Sequence, residues 1–346
     1  MDPDTLARRA VPLARVYRGA LVECMHVGHV AVVDREGAVV FAAGDPHAVT
    51  YTRSTLKPLQ ALPFMRAGGD RHFGFAPEQV ALLCASHSGE PRHVAAVADM
   101  LERCGASVAD LRCGTHVPGF YERTGAFPPP PPYSPLAHNC SGKHAGMLAC
   151  CVLHGWARDD YVSFDHPLQR AIREAVASVV GMPAGDLVGA VDGCSAPNYA
   201  MPLSRLARAY ARLATAGDEA PDLATLCTAM VGHPGMVSGI NRSDLALMEA
   251  GRGDWVAKIG AEGVQALGIR SRGLGIAIKV ADGATRGLHP ATIAVLDALG
   301  LLDAAARASL EGWARPALAN ARGLATGRIE PAVALESTAG KASVAH

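Results

Sequence analysis

Aromatic side chains are scarce. Phe, Trp and Tyr make up 5% of the 346 residues, too few to build the stacked platforms that hold unpaired bases. Net charge is missing as well. Lys plus Arg and Asp plus Glu both number 32, so neither a nucleic-acid footprint nor a polyanion partner is indicated. No uninterrupted apolar run reaches the roughly 18 residues that a membrane span needs. The first twenty residues lack the apolar core and small-residue cleavage site of an export signal, so a cytoplasmic location is expected. Nine cysteines, an odd number without framework spacing, are expected to be reduced thiols in keeping with that location. Cys-x-x-Cys and His-Glu-x-x-His are absent, which leaves metal binding a minority reading on spacing alone.

What is present is a chain 49% hydrophobic, enough for a large core in one domain or two lobes. Residues 15–44 read as β structure. His29–Asp34 and Ala38–Ala43 flank a short Gly-containing turn, a hairpin signal. Residues 77–104 read as helix, broken by Ala85–Pro91. Residues 118–137 hold five consecutive prolines and read as an extended connection. Gly142–His154, Pro167–Val180, Pro202–Ala216, Pro221–Val231 and Pro290–Leu301 read as helices. Val264–Ile269 and Gly275–Ala281 read as strands. The order is strands, a long helical middle, then strands and a helix. That is an α/β (α+β) chain in which both ends build one antiparallel sheet, not a parallel βαβ series. The expectation is a single catalytic unit. Its sheet lobe covers about 10–60 and 255–305, its helical lobe about 61–254, and its tail frays over about 335–346.

Ser54 and Lys57 carry the clearest chemical signal, in Arg53-Ser-Thr-Leu-Lys57-Pro. Three residues apart on a helix, the two share a face. A serine hydroxyl needs a neighbouring base, and a lysine serves only if its surroundings favour the neutral amine. A cation such as Arg53 beside it has that effect. The plain reading is a capping serine and a surface lysine.

Four further stretches stand out. Cys140-Ser-Gly-Lys143-His144 contains Gly-Lys, but Ala137 and His144 occupy positions that a phosphate loop gives to Gly and to Ser or Thr. Cys140 and Lys143 would share a helix face, and the thiol could be a nucleophile, a metal ligand or plain core. Asp192-Gly-Cys194 lies on a turn-rich loop and is either a site or an ordinary turn. Ser86-His-Ser-Gly-Glu90 is a polar loop or a helix start. A neighbouring Ser-His pair does not make a triad. Lys258-Ile-Gly-Ala-Glu-Gly263 precedes a strand by its pattern. Cys150 and Cys151, in an apolar run, read as buried helix core.

Together these stretches, with Cys84-Ala-Ser-His-Ser-Gly-Glu90 and Val191-Asp-Gly-Cys194, resemble the Rhizobium etli-type (class 3) L-asparaginases, in the same order over about residues 15–300. Lys258-Ile-Gly is also similar to the Lys-Thr-Gly element of serine β-lactamases, with Ile259 in place of threonine. The resemblance implies a fold like serine β-lactamases and glutaminases, a homodimer, and hydrolysis of L-asparagine to L-aspartate and ammonia. It implies two Ser-Lys tandems, Ser54–Lys57 and Ser86–Lys258, with Lys279 the other lysine of that C-terminal region. It implies zinc on Cys140, Lys143 and Cys194. Arg53, His144 and Asp192 are the expected substrate contacts on grounds of charge: Asp192 for the α-ammonium and Arg53 for the α-carboxylate. The rival readings are a glutaminase, a penicillin-recognising hydrolase of the same scaffold, and a non-enzymatic zinc or thiol protein.

Overall fold

The computed structural model describes residues 6–338, and the remainder of the expected frayed tail lies outside them. The chain divides into two compact units. Unit one holds residues up to Thr55, Ala200–Thr215, and residues from Ala246 on. Unit two holds Leu56–Tyr199 and Ala216–Leu245.

Unit one is built on an antiparallel sheet in the order Ala317–Ala319, Ala325–Pro331, Val11–Arg18, Leu21–Val33, Leu274–Val280, Val264–Ile269, Trp255–Gly260. The strand Val39–Ala43 also pairs with Leu21–Val33, and Glu336–Ser337 pairs with it in turn. The sheet thus draws strands from both chain ends, as the sequence order implies. The two pairing strands at 317–331 carry little alternating hydrophobicity and were not expected. Only Ile329 of Ala325–Pro331 is buried, against Ala14 and Val16.

Leu203–Thr215 packs on this sheet, so it belongs with the strands and not with the helical middle. Its buried Leu203, Leu206, Ala207, Tyr210, Ala211 and Ala214 follow the 3.6-residue period of one apolar face. Glycines on the strands beneath let it lie close. A Cβ on Gly275 would stand 1.9 Å from Ala207 O, and one on Gly268 would stand 2.3 Å from Tyr210 O. The helix expected from Pro290 begins earlier and spans Thr285–Ala298, with Pro290 inside. Burial of Leu288, Ala291, Val295 and Leu296 carries it past the amide that proline removes.

Unit two is helical. Pro77–Leu83, Pro91–Arg103, Pro167–Val180 and Pro221–Gly232 accompany a central helix, Ser141–His154, whose residues 141–151 are all buried. A helix buried on every side must be approached closely, and small residues allow it. A Cβ on Gly142 would meet Leu82 O at 2.5 Å, and one on Gly146 would meet the Leu83 side chain at 2.4 Å. Cys150 and Cys151 are fully buried in this helix, as expected. The proline-rich stretch is less extended than its composition implies. Gly119–Thr124 forms a short helix and Pro135–Ala137 a 3-10 turn, with the exposed prolines between.

Gly275→Ala should destabilise the protein by about 1–3 kcal/mol, because the added methyl has no space beneath Ala207. Urea unfolding measures it, and an unchanged midpoint would contradict this packing.

Candidate functional site

The functional stretches fall in both units, and the boundary between Thr55 and Leu56 passes through the first. Arg53–Leu56 is a 3-10 turn that runs directly into the helix Lys57–Gln60. Pro58 occupies the first turn, where no amide partner is lost. No side chain caps this helix, so the capping role that a serine here would ordinarily have is not used.

In unit one the turn is fixed from behind. Buried Thr55 donates its hydroxyl to Thr52 O at 2.6 Å, and Tyr210 donates its phenol to Thr55 O at 2.8 Å. Ser54 between them stays half-exposed. Arg53 holds a left-handed backbone, φ 49°, which a non-glycine residue adopts only at a cost. Its guanidinium lies 3.7 Å from Glu262 Oε1.

Lys258 lies within the strand Trp255–Gly260, not ahead of one, and is fully buried. Its Nζ donates to Ile259 O at 2.7 Å. Two residues on, a Cβ at Gly260 would stand 3.0 Å from Thr52 O and 3.3 Å from Ser54 N. Residues i and i+2 of a strand face the same way, so Lys258 projects on the face that Gly260 turns to the Ser54 backbone. Lys279 is differently engaged, with its Nζ on the Glu262 carbonyl.

In unit two, Lys57 is buried, 1% exposed, and donates to two acceptors. One is the Ala85 carbonyl, the other Ser86 Oγ at 2.9 Å. The hydrogen-bond partner seen for the Ser86 hydroxyl is therefore Lys57. Ser86 sits on a segment without regular secondary structure, held by its own N–H to Val237 O at 2.9 Å and by His87 N–H to Asn139 O at 3.2 Å. Burial, reinforced by His93 and Lys57, pushes the His87 pKa well below the ordinary histidine value.

A second cluster forms where Ser141–His154 begins. Lys143 Nζ lies 2.9 Å from Cys194 Sγ. Cys140 Sγ is within hydrogen-bond reach of Cys194 and 3.0 Å from Asn139 Oδ1. The hydrogen bond from Cys140 lowers the Cys194 pKa far below that of a free thiol, against the pull of burial, and the Lys143 charge adds to it. Cys140 is pushed up in exchange, first by the same bond and then by burial. Burial alone would lower the Lys143 pKa, but Cys194 and Cys140 outweigh it and the net shift is upward. These shifts favour an ammonium–thiolate pair with a neutral thiol beside it.

His144 is fully buried, and burial lowers its pKa to about 4. Arg112 N–H donates to the Tyr161 phenol oxygen at 2.9 Å, and that phenol meets His144 Nδ1 at 2.7 Å. With the phenol donating, the neutral imidazole carries its proton on Nε2. Nε2 makes no hydrogen bond of ordinary geometry, although Cys194 acts on the ring electrostatically. Asp192 opens the turn before Cys194, half-buried, and accepts Gly193 N–H at 2.8 Å. Ser195 in that turn has a left-handed φ of 71°.

Sequence reasoning missed Cys113, His138 and Tyr161. Burial raises the Cys113 thiol to about 11, with Cys194 adding to the shift. Burial and His116 lower His138 to about 3. No spacing rule links these residues to the cluster, because only the folded chain brings them near it.

Of Cys140, Lys143 and Cys194, the two sulfurs are ordinary zinc donors, and the amine could join them only after losing its proton. Among the described residues no group of three or more His, Cys, Asp and Glu side chains could hold a metal ion, so a metal here needs the lysine as its third donor.

Residues 14–331 match one family model, which spans almost all of the described chain and makes it a hydrolase that acts on amides. The family is L-asparaginase II, and the chain belongs to it. The protein is an asparaginase-type amidohydrolase, which sets aside the non-enzymatic zinc or thiol reading. Among curated proteins none matches. Among solved structures the chain is similar to a β-lactamase from Mycobacterium bovis, 16% identical, with a TM-score of 0.42 over 83% of this chain and 95% of that one. Among the described residues no helix is long and apolar enough to cross a membrane.

Cys194 should be a thiolate at neutral pH in the chelator-treated protein. Its ultraviolet thiolate absorbance should vanish in Cys194→Ser and weaken in Lys143→Met, as loss of the cation raises the pKa. Equal absorbance in all three proteins would contradict the pairing.

Proposed function

We propose that the protein hydrolyses L-asparagine to L-aspartate and ammonia by double displacement on Ser54. The observation that carries this reading is the buried Lys57 amine, donating to the Ala85 carbonyl and Ser86 Oγ. A neutral lysine has two N–H bonds and one lone pair. In its neutral form Lys57 would commit both N–H bonds to these two acceptors and keep its lone pair for a proton from the serine three residues earlier on the same helical segment. Thr55 is a poorer nucleophile, because its hydroxyl is buried and committed to Thr52 O.

Ser54 Oγ forms a bond to the side-chain amide carbon, and its proton passes to Lys57. Lys57 returns that proton to the leaving nitrogen, the C–N bond breaks, and ammonia departs from an ester intermediate. Water then attacks the ester and gives a proton to Lys57. The ester C–O bond breaks, Ser54 regains a proton, and aspartate is released. Ser86 relays protons to and from Lys57. Lys258, on the strand face turned to the Ser54 backbone, is proposed to help move protons during the reaction.

Arg53 is proposed for the substrate α-carboxylate and Asp192 for the α-ammonium. The strained backbone at Arg53 supports a positional demand there. His144 is proposed as a further contact beside Cys194. Cys140, Lys143 and Cys194 would hold zinc, which when bound would orient and polarise substrate. Nine free thiols support a cytoplasmic setting. Exposed Leu21, Val22 and Met25 are apolar side chains that a homodimer contact would cover. Glutamine is the rival substrate, since one methylene discriminates by only about 1–3 kcal/mol.

Ser54→Ala should abolish the burst of ammonia from L-asparagine and leave at most a trace of steady turnover, read in a stopped-flow ammonia assay. Near-normal turnover would move the nucleophile elsewhere. Zinc binding should release protons, because Cys140 and Lys143 both have raised pKa values and must lose a proton to become ligands. Affinity should therefore fall as pH falls. Calorimetry in buffers of different ionisation enthalpy reads the proton count, and zero release would contradict this ligand set.

A further inference from the structure

We propose that His87 is a positioning residue for the reaction: it holds Ser86 against Lys57 by tying the Ser86 segment to Ser141. The inference rests on the reading of Lys57 and Ser86 as proton carriers. Residues 85–90 have no helix or strand to fix them, yet Ser86 must present its hydroxyl to a single amine. His87, the next residue, is 1% exposed and fully bonded.

Its Nδ1 accepts Gly89 N–H at 3.1 Å, so the neutral ring carries its proton on Nε2. Nε2–H then donates to Ser141 Oγ at 2.9 Å. Ser141 Oγ in turn donates to Leu136 O at 2.7 Å. Each donor in this chain finds an acceptor, and the direction of every bond is set by the first. Gly89 can make its bond because its φ is 71°, and a Cβ there would stand 2.6 Å from Ala137 O. The His87 ring lies against His93, with centroids 5.0 Å apart, which limits its tilt.

Ser141 opens the helix that also carries Lys143 and follows Cys140 directly. One imidazole thus links the loop of the Ser86–Lys57 pair to the start of the thiol-bearing helix. An apolar residue at 87 would leave the Ser141 hydroxyl without its donor and the Gly89 N–H without its acceptor, both buried or nearly so. Displacing a catalytic group by about 1 Å lowers rate on the order of 100-fold.

The test is steady-state ammonia release from L-asparagine by the full-length enzyme. His87→Ala should lower kcat by about 10- to 100-fold with KM changed less than about 3-fold, since Ser86 is displaced while the substrate contacts stay. His87→Gln, which can still donate to Ser141, should restore part of the loss. In a Ser86→Ala background, His87→Ala should cost less than about 3-fold more, because the group it positions is already gone. Losses that multiply in the double variant would overturn the inference, as would unchanged kcat in a folded His87→Ala. Should His87→Ala not fold, Ser141→Ala decides: a lowered kcat with KM intact supports the tie, and unchanged kcat overturns it. A Ser86→Ala enzyme of normal turnover overturns the reading and the inference together. A crippled Ser86→Ala beside a normal His87→Ala overturns the inference alone.

Discussion

The buried amine of Lys57 sets the demands that the rest of unit two meets. An amine taken out of water needs acceptors around it, and it finds the Ala85 carbonyl and the Ser86 hydroxyl. Neither acceptor belongs to a helix or a strand. The Ala85 N–H donates to Leu82 O, the Ser86 N–H to Val237 O, and the next residue, His87, bonds to Asn139 O and Ser141 Oγ. Those partners stay in place because Ser141–His154 is buried on all sides. Gly142 and Gly146 let it press on Leu82 and Leu83, a few residues before Ala85. The placement of the Lys57 amine is therefore a consequence of packing at two glycines as much as of its own surroundings.

The thiol cluster follows the same logic with opposite charge. An isolated buried thiolate would be neutralised, and an isolated buried ammonium likewise. Lys143 and Cys194 each make the other's charge tolerable, and Cys140 keeps its proton to donate. Cys140 and Lys143 would both have to lose a proton to act as metal ligands.

The strand–helix–strand order was legible because hydrophobic period and breakers agree over Val264–Ile269, Pro167–Val180 and the 29–43 hairpin. Leu203–Thr215 was legible as a helix but not as a partner of the sheet, since one apolar face does not say which surface it covers. Pro290 pointed to a helix start and lies inside one, because burial of its neighbours outweighs a missing amide. Among the candidate site residues, Ser54, Lys57, Cys140, Lys143 and Cys194 stand in short motifs. Cys113, His138, Tyr161 and the role of His87 were not legible in this way. Their meaning lies in neighbours far along the chain, and a buried histidine in a polar loop has no sequence mark that separates an anchor from a bystander.

The proposed chemistry requires that Ser54, and not Ser86, be acylated during turnover. The direct measurement is peptide mapping by mass spectrometry after acid quenching of the enzyme during turnover of L-asparagine. A β-aspartyl ester on the peptide containing Ser54, absent from the peptide containing Ser86, is the expected result. An ester on Ser86 with Ser54 unmodified would contradict it.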